Sequence, residues 1–360
     1  MTLERTPPRA WAMLAVGVLA QVAGTVFVTT PAFLIPLLHL ERGVSLAEAG
    51  LLAAATSFGL VLTLIAWGAL ADRIGERWVI AGGLALTALA ALGALFADGY
   101  LWLGLFFLLG GAASASANAA SGRVVVGWFP KHRRGLAMGI RQMSQPLGVT
   151  IAAVTIPVIA SASGIAAALL VPLVLTAVVA VVCAIVIVDP PRAAPAPDAS
   201  APVNPYRASS FLWRIHLVSA LLVLPQFLLS TFGLVWLVAE LGWEPLPAGI
   251  LVGVAQFIGA VGRIGVGVMS DRVGSRVRPL RWVAASAAVV MLLLALVDAT
   301  HFAAAGIVFV IATSVTVADN GLAFTSVAEM AGTAWAGRAL GAQNTGQFLT
   351  ASVAGPLFGA

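Results

Sequence analysis

The sequence predicts an all-α membrane protein made of two parallel six-helix repeats, the second incomplete at its carboxyl-terminal end. Three observations carry this prediction. Hydrophobic residues make up 61% of the chain, charged residues 9%, and the mean hydropathy is +1.03, whereas soluble domains carry about a quarter charged residues. Such a chain is suited to lipid rather than water. The apolar residues also fall into eleven runs of roughly 17 to 28 residues, each long enough for a hydrocarbon core of ~30 Å. Finally, Gly68-Ala-Leu-Ala-Asp-Arg-Ile-Gly-Glu-Arg77 returns 199 residues later as Gly267-Val-Met-Ser-Asp-Arg-Val-Gly-Ser-Arg276.

In chain order the runs occupy 11–38, 46–71, 78–97, 101–127, 136–161, 164–188, 212–239, 246–270, 282–298, 302–326 and 339–360. All are expected to be helices, because a lipid-exposed backbone must satisfy its own hydrogen bonds. The first is too long for a cleaved leader and lacks a small-residue cleavage pattern, so it counts as a span. Pro31 and Pro36 in the first, Pro157 in the fifth and Pro225 in the seventh are tolerated in membrane helices and mark kinks. The third, sixth and ninth are nearly devoid of hydrogen-bonding side chains, with Thr87, Thr176 and Ser286 almost all they offer. These three are expected to face lipid.

The basic residues orient the chain. Of 19, fifteen lie in the amino terminus and the even-numbered loops: Arg5, Arg9, Arg73, Arg77, Lys131, Arg133, Arg134, Arg192, Arg207, Arg214, Arg272, Arg276, Arg278, Arg281 and Arg338. Only Arg42 lies in an odd-numbered loop, and Arg123, Arg141 and Arg263 fall within spans. The positive-inside rule then puts the amino terminus and both Asp-Arg turns in the cytoplasm, the membrane being a bacterial inner membrane.

Residues 189–211, rich in Pro, Ala and Ser, read as a flexible cytoplasmic linker. It separates an amino-terminal bundle, 1–188, from a carboxyl-terminal bundle, 212–360. The repeat supports the same division. Ala137–Gln145 aligns with Ala339–Gln347 at an offset of 202 residues, and the same offset pairs Asn118 with Asn320. Repeats in the same sense are related by an axis along the membrane normal. By this arithmetic a twelfth helix would start near residue 366, so the carboxyl-terminal bundle is expected to lack it.

Polarity inside the remaining spans marks the site. A charge at mid-bilayer costs about 2.5–3.5 kcal/mol on insertion scales, so polar groups there face a bundle interior or a wet cavity. Those groups are Gln21, Asn118, Arg123, Arg141, Gln142, Gln145, Gln226, Gln256, Arg263, Asp319, Asn320, Gln343, Asn344 and Gln347. Arg141, Gln145 and Gly148 follow i, i+4, i+7 and are expected on one face, as are Gln343, Gln347 and Thr350. Thr316, Asp319 and Asn320 cluster in the tenth span, mirrored by Ser114, Asn118 and Ser121 in the fourth.

Asp319 is the only carboxylate deep in a span. It can load and unload a proton as access alternates, or it can serve as structural partner to a buried Arg or to Asn320. The three intramembrane Arg sit about 10–12 Å inside the cytoplasmic edge. Arg123 is expected to pair with the Asp72 turn and Arg263 with the Asp271 turn, or else to meet substrate. Arg141, on a polar helix face, is balanced between substrate and structural roles. The excess of buried cations favours an anionic or carboxylate-bearing substrate.

Other classes fit poorly. The pI near 10.6 reflects topology, not nucleic-acid binding. The single cysteine, Cys183, allows neither an internal disulfide nor a cysteine metal site. His39, His132, His216 and His301 lie at membrane edges, no hydrolase motif occurs, and no enzyme activity, metal or cofactor is expected. Gly262-Arg-Ile-Gly265 has neither the spacing nor the Lys of a phosphate loop, so the energy source is a gradient. A non-transporting receptor or scaffold is the remaining alternative of another class.

Together these residues resemble the major facilitator superfamily over nearly all 360 residues. The family signature Gly-x-Leu-x-Asp-Arg-x-Gly-Arg-basic is matched by Gly68, Leu70, Asp72, Arg73, Gly75 and Arg77, with Glu76 in place of the penultimate Arg. The second copy keeps Gly267, Asp271, Arg272, Gly274 and Arg276, with Ser275 at that place. The resemblance implies a monomeric secondary transporter working by alternating access, and casts both turns as conformational latches whose Asp faces a helix amino terminus or a buried Arg. The family's drug-antiporter motif is only partly present at Gln145-Pro-Leu-Gly-Val149, which leaves export of hydrophobic or cationic drugs as the alternative. The substrate and proton pathway implied is Asp319, Asn320, Asn118, Arg141, Gln142, Gln145, Gln343, Asn344, Gln347 and Arg263.

Overall fold

A chain whose backbone polar groups meet lipid must close its hydrogen bonds within each segment, and every regular element among the described residues is helical. The structure, a computed structural model, describes residues 6–42, 45–190, 203–300 and 304–358. Arg5, Arg192, His301 and most of the expected linker lie outside them.

Helix α1 (Pro8–Arg42) carries Pro31 and Pro36 within it. Helix α2 (Leu46–Ile74) begins with a reciprocal cap: Glu48 N donates to Ser45 Oγ at 3.2 Å, and Ser45 N donates to the Glu48 carboxylate at 2.9 Å. This satisfies two amides that a helix start leaves without partners. Gly75 ends α2 with φ +102° and opens α3 (Glu76–Leu95). A Cβ there would also lie 2.1 Å from the Asp189 carboxylate, so glycine is required on both counts.

Helix α4 (Tyr100–Trp128) leads through the short turn Lys131–Arg133 to α5 (Arg134–Gln142) and α6 (Ser144–Val186). The long α6 is two spans joined at Gly164, whose backbone is not helical. The chain resumes with α7 (Pro205–Ala208) and α8 (Phe211–Val235), which runs into the π-helical turn Trp236–Glu240. Helices α9 (Pro245–Val273) and α10 (Val277–Thr300) follow. The tenth span is split into α11 (Ala305–Thr316) and α12 (Asn320–Ala331), and α13 (Ala336–Phe358) is the last.

Among the described residues, nine stretches are long and apolar enough to cross a membrane. One of them, Lys131–Val186, contains two spans divided at Gly164, and α13 adds another helix. These coincide with the eleven runs in the sequence. Side chains of α3, α6 and α10 such as Trp78, Leu89, Val178, Ile185, Leu292 and Leu296 are exposed, as lipid-facing residues should be.

By their contacts the residues form two compact units. Unit one comprises Met1–Phe129, Ser144–Asn204 and Ala331–Thr345; unit two comprises Pro130–Met143, Pro205–Met330 and Gly346–Ala360. Each thus holds most of one repeat plus the start of a helix belonging to the other: α5 goes with unit two, and the first part of α13 with unit one. Unit one packs α1 on α6 and α4 on α2 and α3, around Phe27 and Phe107, whose rings meet edge to face at 6.2 Å. In unit two, Phe309 of α11 packs over Gly233 of α8 and stacks against Trp236.

Candidate functional site

Two clusters of buried polar groups lie in unit one. In the first, Gln21 of α1 donates from Nε2 to Asn118 Oδ1 of α4 at 2.7 Å, both side chains being buried. The second surrounds the Asp72 turn. Arg123 of α4 pairs with Asp72 and, through Nε at 2.7 Å, with Glu76, and it also donates to Thr333 O at 2.9 Å. The expected pairing of Arg123 with this turn is therefore present. Glu76, the departure from the family signature, supplies the second carboxylate to that guanidinium.

Asp72 also receives the amides of Gly337 at 2.8 Å and Arg338 at 3.1 Å, at the start of α13. A carboxylate there satisfies otherwise unpaired amides and meets the positive end of the helix dipole. Gly68 and Gly337 allow this approach, since a Cβ on either would lie about 2 Å from the other's carbonyl oxygen. Asp189, just beyond α6, does the same for α3, accepting from Glu76 N at 2.8 Å and Arg77 N at 2.9 Å.

Unit two repeats the pattern with different residues. Asn320 of α12 donates to Gln226 of α8 at 2.8 Å and accepts from Gln347 of α13, also at 2.8 Å; Gln347 reaches Ser219 as well. This is the Gln21–Asn118 pair in its second copy, extended by Gln347 and Ser219. Asp271 receives Gly135 N at 3.0 Å and Leu136 N at 2.9 Å, at the start of α5. Gly267 and Gly135 stand as close as Gly68 and Gly337 do. Arg276 bonds Asp271 at 2.6 Å and Glu329 at 3.1 Å. Burial works against this guanidinium's charge, yet the bonds to Glu329 and Asp271 prevail and hold its pKa above the ordinary value.

Arg263 departs from expectation. It does not bond the Asp271 turn. Its Nη1 donates to Gln142 O at 2.7 Å and its Nε to Val317 O at 3.1 Å. The physical reason lies in two interrupted helices. Pro146 has no N–H, so the carbonyl four residues earlier, that of Gln142, loses its helical donor. The tenth span opens between Thr316 and Asn320 and leaves the Val317 carbonyl accessible. A buried guanidinium on α9 meets both. Beside it is Asp319, 1% exposed, with neither carboxylate oxygen hydrogen-bonded among the described residues. The Arg263 and Asp319 charges are close enough to interact.

Arg141, 1% exposed, donates to the Gln142 side chain at 2.7 Å and lies 5.5 Å from the centre of the Phe324 ring. The face expected to hold Arg141, Gln145 and Gly148 does not give them common surroundings. Arg141 and Gly148 are buried, while Gln145 is exposed. The helix is interrupted at Met143, and residues on either side of it pack into different units. Gln343 and Asn344 are buried in unit one. Sequence reasoning missed the roles of Glu76, Asp189, Glu329 and Arg338. For Arg338 a signal existed, because the 202-residue offset places Gly337 and Arg338 on Gly135 and Leu136.

Membrane-length helices with buried polar clusters repeated in register define a duplicated membrane transport protein. Residues 14–356 match the Major Facilitator Superfamily, and the chain belongs to that family. Over 351 residues it is 48% identical to the uncharacterized MFS-type transporter Rv2994 of Mycobacterium tuberculosis, covering 97% of this chain and 78% of that protein. It is 34% identical over 130 residues to Probable anion transporter 4, chloroplastic, of Arabidopsis thaliana, covering 36% of this chain and 24% of that one. Its fold is similar to that of the E. coli fucose:proton symporter FucP in the crystal, with TM-score 0.72 and 17% identity over 99% of this chain and 92% of that one. It is thus a multi-span transporter of a bacterial membrane.

Proposed function

We propose that the chain is a secondary active transporter that carries a small carboxylate-bearing anion by alternating access and couples it to protons through Asp319. The observation that carries this reading is Asp319 itself: a carboxylate buried in the break of the tenth span, with no hydrogen-bond partner among the described residues, beside a guanidinium that bonds elsewhere. A buried charge without bonds is costly, whereas a carboxyl that gains and loses a proton through the cycle meets that cost in one state only. Such a group inside a membrane belongs to an ion or substrate pathway.

The substrate preference rests on charge. Arg123 is neutralised by Asp72 and Glu76, which leaves Arg141 and Arg263 against Asp319 among the deep charges. The anion transporter name of the Arabidopsis relative is in keeping with this. In this reading Asn118, Asn320, Gln142, Gln145, Gln343, Asn344 and Gln347 line the pathway, the amino terminus is cytoplasmic, and a monomer works by rocking 1–188 against 212–360. The Asp72 and Asp271 turns, with their glycines and arginines, latch the cytoplasmic side by capping α13 and α5.

The test uses the protein in liposomes, with counterflow of labelled carboxylates, cations and sugars. A carboxylate is expected to exchange. With Asp319→Asn, pH-driven accumulation is expected to vanish while exchange continues. Accumulation at the unaltered level would remove Asp319 from the coupling, and exchange of cations alone would favour the drug-export alternative.

A further inference from the structure

The unusual feature of unit two is a single side chain that satisfies main-chain carbonyls in two different broken helices. Pro146 frees the Gln142 carbonyl of span five, and the break at Val317–Asp319 frees a carbonyl of span ten; Arg263 donates to both. Its third nitrogen, Nη2, makes no hydrogen bond among the described residues.

The repeat-related position lacks this arrangement and shows why. The place of Arg263 is taken there by Leu64, and that of Pro146 by Phe348, at the repeat offsets of 199 and 202 residues. Phe348 has an N–H, so the Asn344 carbonyl keeps a helical donor and no guanidinium is needed. The place of Asp319 is taken by Ala117. Arginine, proline and aspartate thus occur together at one of the two repeat-related positions, contributed by both repeats, and are absent together from the other.

We propose that Arg263 is the positioning residue through which the proton on Asp319 sets the shape of helix five. When Asp319 is neutral, the guanidinium stays on the two carbonyls and holds both breaks in the geometry described. When Asp319 is ionised, the carboxylate competes for the same donors, because a guanidinium bonds an anionic carboxylate more strongly than a neutral carbonyl. The guanidinium turns to it, and the Gln142 carbonyl is released. The proton leaves Asp319 for water and Arg263 remains charged, so only hydrogen bonds are exchanged. The other charged group near this locus is Arg141 of α5, which faces Gln142 and Phe324; α8 and α13 bring the neutral Gln226 and Gln347. This inference rests on Asp319 being the proton carrier.

The experiment places a thiol at the helix-five break, Met143→Cys with Cys183→Ala, in the full chain in liposomes, and follows its maleimide labelling rate from pH 5 to 9. The thiol's own ionisation enters every background alike, so the Asp319→Asn background is the reference. With Asp319 and Arg263 intact, a several-fold additional change with pH is expected. Arg263→Gln is expected to remove that addition. Arg263→Lys, which keeps the charge but not the planar fork, is expected to reduce it while exchange persists. An addition that survives unchanged in both Arg263 variants overturns the proposal and leaves Asp319 as the carrier. Full pH-driven accumulation in Asp319→Asn overturns the carrier reading and this inference with it.

Discussion

A guanidinium in a membrane interior persists only where its charge or its donors are answered, and the three intramembrane arginines are answered in three ways. Arg123 has two carboxylates, Arg141 an amide side chain and an aromatic ring, and Arg263 two main-chain carbonyls. Removing one partner of a buried ion pair leaves the other uncompensated, at about 3–5 kcal/mol. Arg123→Ala is therefore expected to destabilise unit one by roughly that amount, read as a lowered unfolding midpoint in detergent. Glu76→Gln keeps an acceptor for Nε, and its loss is expected to be clearly smaller. Equal losses would mean that the Glu76 charge alone, and not the pair with Asp72, answers Arg123. The pairing of Arg123 was legible because Asp72 lies in a turn at the same membrane depth. That of Arg263 was not, since the Asp271 turn is far nearer in the sequence than the carbonyls actually bonded, which are 54 and 121 residues away.

At the scale of elements, the two Asp-Arg turns are helix caps. Asp72 closes the start of α13 and Asp271 the start of α5, each through two successive amides and each across a pair of glycines. The broken helices obey the same bookkeeping of amides and carbonyls. Pro146→Ala restores the donor that the Gln142 carbonyl lacks, so Arg263 should matter less in its presence. A double-mutant cycle of Pro146→Ala with Arg263→Gln is expected to give a coupling of about 1.5–3 kcal/mol in stability, the range of a hydrogen bond to a charged group. Additive losses would separate the arginine from the proline. The spans themselves were readable from hydropathy, including the pair joined at Gly164. The opening of the tenth span at Val317–Asp319 was not, because no proline or glycine falls between Thr316 and Asn320 to announce it.

For the whole molecule, duplication is the organising fact, and it makes a topological prediction. If both repeats run in the same sense with the amino terminus in the cytoplasm, thiols at Arg73 and Arg272, both exposed, face the cytoplasm, and a thiol at Asp98 faces outward. With Cys183→Ala as background, a membrane-impermeant reagent on intact cells should label Asp98→Cys and spare Arg73→Cys and Arg272→Cys. Labelling of only one of the two arginine positions would contradict the parallel repeat. The contact units do not follow the bundle boundaries read from the linker, because α5 and the first part of α13 each pack with the other repeat. Sequence offset reports ancestry, whereas contact reports packing.

The sequence by itself determined the solvent, the helical class, the number and order of spans, the repeat and the family signature. All of these follow from local composition and spacing, which lipid enforces through hydrophobicity and backbone hydrogen bonding. Only the tertiary structure decided which carbonyls Arg263 holds, that Glu76 shares Arg123 with Asp72, and that Asp189 caps α3. Those are choices among partners 54 and 121 residues away for Arg263, more than a hundred for Asp189 and about fifty for Arg123. A buried donor takes whichever acceptor the packing brings to it, and spacing along the chain carries no record of that.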